Sequence, residues 1–443
     1  MTDTAKKPIG FYTATAIVVA NMIGTGVFTS LGFQVMGIHS VFALIMLWVV
    51  GGVIALCGAL CYAELGAAMP RSGGEYHYLS KIFHPSVGFL SGWISVLVGF
   101  AAPIALAAMA LGSYTCAVFP SLNPTYVAAT VVVLITVIQA WNVQKGAQFQ
   151  AVFSTVKVIL ILVFIVAGFT QFTSANGGVY IDTAAWKDMT GISFFTSLIF
   201  VNYAYSGWNA AAYVAGEMDQ PAKILPKSLL TGTLLVTGLY VLLNIVFIYT
   251  VPFSEMADAK GNPIIEIGAV SANHIFGLTG GNIMSIVISI LLISTISAMV
   301  IAGPRVTQVI GEDMPILGFL SKKSSGGAPA IAITLQSAIA LILIFTASFQ
   351  SVLTYLGFTL TCFTSLTVIG LYVLRYTQPK LERPFRTKGY PITPFIFLAL
   401  SLFTLYKVME WKPTESLYGL LTIAAGLVAY FIGNYFSKQK NHI

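Results

Sequence analysis

Charge is scarce in this chain. Only 8% of its 443 residues are Asp, Glu, Lys or Arg, while 57% are apolar. A soluble domain carries roughly 25% charged residues, so a water-soluble fold is excluded and most of the chain belongs in lipid. Histidine is as sparse. His39, His77, His84, His274 and His442 all fall in segments between apolar runs or in the tail. There is no H-E-x-x-H, no G-x-S-x-G and no Cys/His cluster, which leaves a metalloprotease or a serine hydrolase without its chemistry. No G-x-x-x-x-G-K-[ST] loop is present, so the chain has no means of its own to drive pumping with ATP. Cys57, Cys61, Cys116 and Cys362 stand inside apolar runs, at spacings that make neither a metal site nor a disulfide framework. They read as small buried hydrophobes. No metal, no cofactor and no enzymatic reaction is expected.

What is present is a series of long apolar runs. A spanning helix needs about 20 such residues. By that rule the chain divides into twelve segments, near 9–36, 40–69, 85–119, 124–142, 148–172, 192–216, 227–251, 282–303, 329–347, 351–374, 391–409 and 416–436. The first follows Lys6 and Lys7 without an A-x-A-like cleavage site, and reads as a retained span rather than a signal peptide. An all-α membrane protein with 12 transmembrane helices follows. The net charge of +7 then has a simple origin. If both termini face the cytoplasm, seventeen of the 22 Lys and Arg residues lie on that side, four lie outside, and Lys157 lies within the fifth span. This is the positive-inside asymmetry. It accounts for the basic run Arg375 to Lys388 without nucleic acid; topology and anionic lipid suffice there. A multi-pass protein of the cell (inner or plasma) membrane is expected.

Two spans are interrupted. The first reads Ile23-Gly24-Thr25-Gly26-Val27, the sixth Tyr203-Ala204-Tyr205-Ser206-Gly207-Trp208-Asn209. A break leaves backbone groups without helical partners, which lipid does not tolerate unless the break lines a cavity or is buried in protein. Breaks at matching places in two repeats point to a transporter's binding site. Five spans separate them, an odd number, so the second set must enter the membrane in the opposite sense. The expected organisation is a 5+5 inverted repeat, residues 1–176 and 177–376, with helices 11 and 12 and a cytoplasmic tail in 377–443.

At the first break, a helix ending near Ile23 and restarting near Val27 offers N–H groups and a positive dipole end, suited to a carboxylate. Gly24 and Gly26 either let a ligand approach the backbone or let two helices pack closely; both readings are open. At the second break, the carbonyls of Tyr203, Ala204 and Ser206 suit an ammonium. Together the two breaks match a zwitterion, hence an amino acid. The aromatic residues there also fit ordinary packing, and Asn209 fits a substrate contact or a cap on the restarted half-helix. Lys157 stands about nine residues into its span, roughly 14 Å deep at ~1.5 Å per residue. An ionisable group at that depth is costly and reads as a functional site rather than as a static charge hydrogen-bonded to carbonyls. Ser294 and Thr295 are its natural partners, or else ordinary interhelical hydrogen bonders. Glu64 and Glu217, at span ends near basic residues, read as solvated helix ends rather than gates. All 15 acids fall in loops or at span ends, which favours a neutral amino acid over a cationic amino acid or polyamine. The ring of charge or repeated filter of a channel is not visible.

Three stretches resemble the amino acid–polyamine–organocation superfamily. They are Asn21-Met22-Ile23-Gly24-Thr25-Gly26-Val27-Phe28; Cys61-Tyr62-Ala63-Glu64-Leu65-Gly66 followed by Pro70-Arg71-Ser72-Gly73-Gly74-Glu75-Tyr76; and Tyr205-Ser206-Gly207-Trp208-Asn209 followed by Tyr213-Val214-Ala215-Gly216-Glu217. The last is similar to the sixth helix of the L-type amino acid transporters. The resemblance implies that the substrate carboxylate sits at Ile23 to Val27 and the ammonium on Tyr203, Ala204 and Ser206. It further implies that Tyr203 is an aromatic gate, often Phe in relatives, and that Asn209 is near the substrate. Lys157 would occupy the place of sodium in sodium-coupled relatives, hence sodium independence. Animal L-type members pair with a glycoprotein through a cysteine near spans three and four. No Cys stands in that loop here, so a stand-alone, monomeric carrier is expected, working as an exchanger or a proton symporter.

Overall fold

The computed structural model describes residues 9–141, 146–171, 176–313, 315–322 and 329–440. It is 82% helical. The helices are α1 (Phe11–Met22), α2 (Gly26–Thr29), α3 (Leu31–Gln34), α4 (Val41–Ala68), α5 (Gly74–Ile82), α6 (Pro85–Ile94), α7 (Ala101–Val118), α8 (Pro124–Trp141), α9 (Gly146–Thr170), α10 (Thr183–Thr190), α11 (Ile192–Tyr205), α12 (Pro221–Thr250), α13 (Ile267–Asp313), α14 (Ala330–Thr346), α15 (Phe349–Thr377), α16 (Ile392–Trp411) and α17 (Pro413–Lys440). Among the described residues nine helical stretches are long and apolar enough to cross a membrane. The helices of 124–140 and 330–346 are apolar but shorter, and α11 has 14 residues. Lys6, Lys7, Lys145 and Lys323, counted toward the positive face, lie outside the described residues, as do the side chains of Arg305, Lys438 and Lys440.

Local chemistry sets the helix ends. Ser40 caps α4 by accepting from the Ala43 N–H, and the Asp188 carboxylate accepts from the N–H groups of His39 and Ser40 at 2.9 and 2.8 Å. Ser348 caps α15, and α6 and α12 open on Pro85 and Pro221, where a missing N–H costs nothing. Inside the bundle, hydroxyls that have no water return to their own backbone, as Thr233 does to the Leu229 carbonyl at 2.7 Å.

Several expected spans have more internal structure than apolarity reveals. The third is two helices joined by a π turn over Ser95–Gly99. The eighth begins at Ile267 with a short arm that turns at Gly277, φ +75°, before the long part of α13. The sixth does not resume as an α-helix after its break: Ala210–Glu217 is 3-10. There Gly207 has φ +97°, and a Cβ on it would lie 2.7 Å from the Asn21 carbonyl oxygen. Only glycine meets both conditions.

The expectation that Glu64 is a solvated helix end is corrected. Its carboxylate is fully buried. Arg375 donates to it from Nε at 2.9 Å and from Nη2 at 2.7 Å, and the Thr387 N–H donates at 2.7 Å. The Arg383 Nε stands 3.4 Å away. Pairing, a two-pronged guanidinium and a backbone donor are what allow a carboxylate to be buried, and all three partners come from the one run, Arg375 to Lys388, which the sequence reading did not bring to Glu64. Glu217 is exposed, as expected.

Candidate functional site

The two breaks face each other. The α1 helix ends at Met22 and α2 begins at Gly26. The α11 helix ends at Tyr205. Both breaks open on one cavity of about 840 Å³, whose wall includes Ile23, Gly24, Thr25, Gly26, Tyr203, Ala204, Ser206 and Asn209 from the breaks, with Lys157 and Thr295. Val27 and Ser294 are fully buried and off that wall. From the breaks the cavity runs to Arg71, His77 and Lys81. On the other side of the breaks Phe33 is stacked on Phe349, with centroids 5.7 Å apart, and packs on Phe200 at 5.5 Å. The site is thus reached from the side of the α4–α5 loop and closed by aromatic rings on the other.

The breaks are tied to each other and to the frame. The hydroxyls of Thr25 and Tyr203 are 2.7 Å apart. The Tyr240 hydroxyl donates to the Met22 carbonyl at 2.6 Å, supplying a partner that the end of α1 lacks. The Tyr205 hydroxyl donates to the Trp48 carbonyl at 3.0 Å, and Trp48 donates to the Gln34 side chain at 3.1 Å. Tyr114 joins two more pieces: it donates to the Phe28 carbonyl at 2.9 Å and accepts from the Gly268 N–H at 3.1 Å.

The two glycines of the first break are not equivalent. A Cβ on Gly26 would lie 2.5 Å from Ala204 Cα, so Gly26 is required by close packing of the breaks. A Cβ on Gly24 would meet only the Met22 oxygen, at 4.0 Å, and otherwise open space. Of the two, Gly24 is the one past which a ligand can approach backbone. At the second break the Ser206 N–H donates to the Tyr203 carbonyl at 2.9 Å, so that carbonyl already carries one hydrogen bond.

Lys157 is 3% exposed. Its Nζ donates to Thr295 Oγ1 at 2.6 Å and reaches the Ile23 carbonyl at 3.5 Å. One ammonium therefore links α9, α13 and the end of α1, as a bound cation between those elements would.

The sequence reading missed Glu75. It placed every acid in a loop or at a span end; Glu75 does lie between spans, on α5, yet is only 6% exposed and forms part of the cavity wall. Its Oε1 accepts from the Tyr62 hydroxyl at 2.5 Å and from Asn209 Nδ2 at 3.0 Å. Asn209 therefore serves neither as a cap nor as an unengaged wall residue; its amide is held by an acid. Burial raises the Glu75 pKa, and hydrogen bonds from Tyr62, Asn209 and Tyr213 oppose that rise. The signal available in the sequence was the Ser72-Gly73-Gly74-Glu75 motif, whose two glycines announce a turn that can fold an acid inward.

Comparison with known proteins gives the family. The b(0,+)-type amino acid transporter 1 of Mus musculus is 28% identical over 449 residues, covering 98% of this chain and 89% of the relative. The human protein of that name is 27% identical over 445 residues, covering 97% and 88%. The large neutral amino acids transporter small subunit 2 of Mus musculus is 29% identical over 454 residues, covering 98% and 82%. The family described as amino acid permease matches residues 9–430. So long a match leaves little of the chain unaccounted for: it belongs to the amino acid permease family, within the amino acid–polyamine–organocation superfamily, and is a membrane transport protein rather than an enzyme.

Proposed function

We propose that the chain is a sodium-independent secondary transporter of neutral L-amino acids that works by alternating access, as an exchanger or a proton-coupled symporter. One observation carries this reading: two helix breaks of opposite electrostatic character share the wall of one cavity. The substrate carboxylate takes N–H groups of the Ile23 to Val27 break, those of Thr25 and Gly26 first because the Gly24 N–H already donates to the Met22 carbonyl at 2.9 Å, and Gly24 leaves the approach open. The ammonium takes the carbonyls of Ala204 and Ser206, with Tyr203 contributing less because its carbonyl already has a donor. Asn209 borders the substrate and Tyr203 is the gate. Lys157 holds the place of a coupling cation, which supports sodium independence. The name of one group of relatives, large neutral amino acids transporter, supports the neutral class. The architecture that fits is twelve spans in a 5+5 inverted repeat, 1–176 and 177–376, with 377–443 outside it and both termini cytoplasmic. The protein works as a monomer in the cell membrane without a glycoprotein partner.

Glu75 favours a second reading, a cationic amino acid or polyamine carrier, because it is an acid on the cavity wall. Its Oε1 already accepts from Tyr62 and Asn209, and the cavity mouth carries Arg71, His77 and Lys81. Both features weigh against a cationic cargo. The deciding experiment is uptake of labelled alanine, leucine and lysine into proteoliposomes, with and without sodium, internal substrate or a pH gradient. Uptake of alanine or leucine in sodium-free buffer is expected. A sodium requirement at every pH, or uptake of lysine alone, overturns the reading.

A further inference from the structure

The Ser72-Gly73-Gly74-Glu75 turn is built onto the segment that follows the second break. Gly73 and Gly74 have φ of +116° and +51°, and a Cβ on Gly74 would lie 2.8 Å from the Tyr213 ring. The ring therefore lies flush on the turn. The Gly73 N–H donates to the Tyr213 carbonyl at 3.3 Å, and the Gly216 N–H donates to Ser72 Oγ at 3.2 Å. Glu75 completes the clamp by accepting from Asn209, two residues past Gly207. One loop thus holds Asn209 to Gly216 by side chain and backbone together, and Tyr62 ties that loop to α4.

Glu75 is unusual for a buried acid. Among the described residues it has no Lys, Arg or His at ion-pair distance. Its donors are neutral: Tyr62 from α4, Asn209 just before the 3-10 segment, and Tyr213 within it. On its own helix it faces Tyr78. Of the other helices packed on α5, α6 carries no charged residue, and the one charge of α15, Arg375, is engaged by Glu64. Arg71, His77, Lys81 and Glu217 line the same cavity toward its mouth. Buried charges are ordinarily paired. A carboxyl surrounded by neutral donors, on a water-accessible wall, can hold those donors as an anion and slacken when protonated, because an ionised acceptor binds roughly twice as strongly as a neutral one.

We propose that Glu75 is a positioning residue for the second break, acting through Asn209 as a proton-responsive latch that keeps the cavity open toward the basic face. The proposal rests on the transport reading above for its purpose but not for its test. As a carboxylate Glu75 holds the unwound turn in the present arrangement. Acid on the cavity side protonates it, weakens the hold on Asn209, and shifts the population away from the open state, so any ligand entering from that side meets fewer competent molecules. Direction follows from the chemistry: the latch is firm above the titration midpoint and lost as pH falls through it.

The test reads cavity opening without any substrate. Ala302, on the cavity wall, is replaced by cysteine in a chain whose four native cysteines are removed. Maleimide labelling is then followed from pH 8 to pH 5, relative to the unfolded chain at each pH. Labelling is expected to fall severalfold with acid when Glu75 is present and to be flat in Glu75→Gln. Tyr62→Phe, which removes a donor to the carboxylate, is expected to move the midpoint to higher pH and so keeps the test alive if Glu75→Gln does not fold. A flat profile with Glu75 present, an unaltered profile in Glu75→Gln, or an unmoved midpoint in Tyr62→Phe each overturns the latch. Failure of amino acid uptake with an intact labelling profile would instead strike the transport reading alone.

Discussion

The hydroxyls of Tyr203 and Thr25 lie 2.7 Å apart, so two helix breaks 178 residues apart in sequence share one buried hydrogen bond. Resemblance to relatives with Phe at this position gives the hydroxyl no role; here it has a partner. Tyr203→Phe is therefore expected to weaken substrate binding about fivefold, corresponding to about 1 kcal/mol for a buried hydrogen bond. Thr25→Val should cost a similar amount, and the double variant should cost no more than either alone. Tyr203→Ala should lose a further 1–3 kcal/mol or so of aromatic contact. Apparent affinities from initial uptake rates, arranged as a double-mutant cycle, check this; simple additivity would mean that the two hydroxyls do not act together.

Lys157→Met keeps the bulk of the side chain and removes its charge. The link between α9, Thr295 on α13 and the Ile23 carbonyl then disappears. Transport is expected to fall more than tenfold, while the purified protein keeps its elution position in detergent. Uptake at the unsubstituted rate in correctly inserted protein would show that the ammonium only fills space.

The two glycines of the first break should separate packing from binding. Gly26→Ala drives a methyl to 2.5 Å from Ala204 Cα and is expected to lower the melting temperature and abolish transport. Gly24→Ala meets open space and should leave the melting temperature unchanged while weakening ligand-induced stabilisation. Thermal unfolding in detergent, with and without amino acid, distinguishes the two. An equal loss of stability in both would remove Gly24 from the ligand's path.

Arg375→Ala leaves the Glu64 carboxylate buried with only Thr387 and the more distant Arg383. Breaking a buried ion pair costs about 3–5 kcal/mol, and the lower end is expected because Arg383 remains. Glu64→Gln, which keeps the shape and removes the charge, should cost less. Melting temperatures of the two variants give the comparison; no change with Arg375→Ala would return Glu64 to the role of an ordinary helix end.

Most of this architecture was legible where it depends on neighbours in sequence. Long apolar runs gave the helices, and Gly24, Gly26 and Gly207 gave the breaks, because lipid leaves few other reasons for such interruptions. That Lys157 is buried agrees with its place well inside an apolar run. Partners contributed by distant segments were not. Nothing in the sequence near Glu64 announces Arg375 or Thr387, more than 300 residues away. Glu75 was misjudged for a related reason: hydropathy places a residue between spans, but it does not tell whether the loop folds outward into water or back into the bundle. The 3-10 form of Ala210–Glu217 was hidden as well, since an apolar run ending in Gly216 reads the same for either helix.

Tyr114 has a mechanical consequence. Its one hydroxyl donates to the half-helix after the first break and accepts from the short arm at the head of α13. If that half-helix tilts, either the arm travels with it or a buried hydroxyl is left short of a partner. Gly277 gives the arm its own elbow. The arm 267–276, exposed only along Asn273, His274 and Phe276, is therefore a follower, geared to the candidate site across the closed side of the protein, and a clamp fastened to that exposed edge would stall the arm without ever entering the cavity.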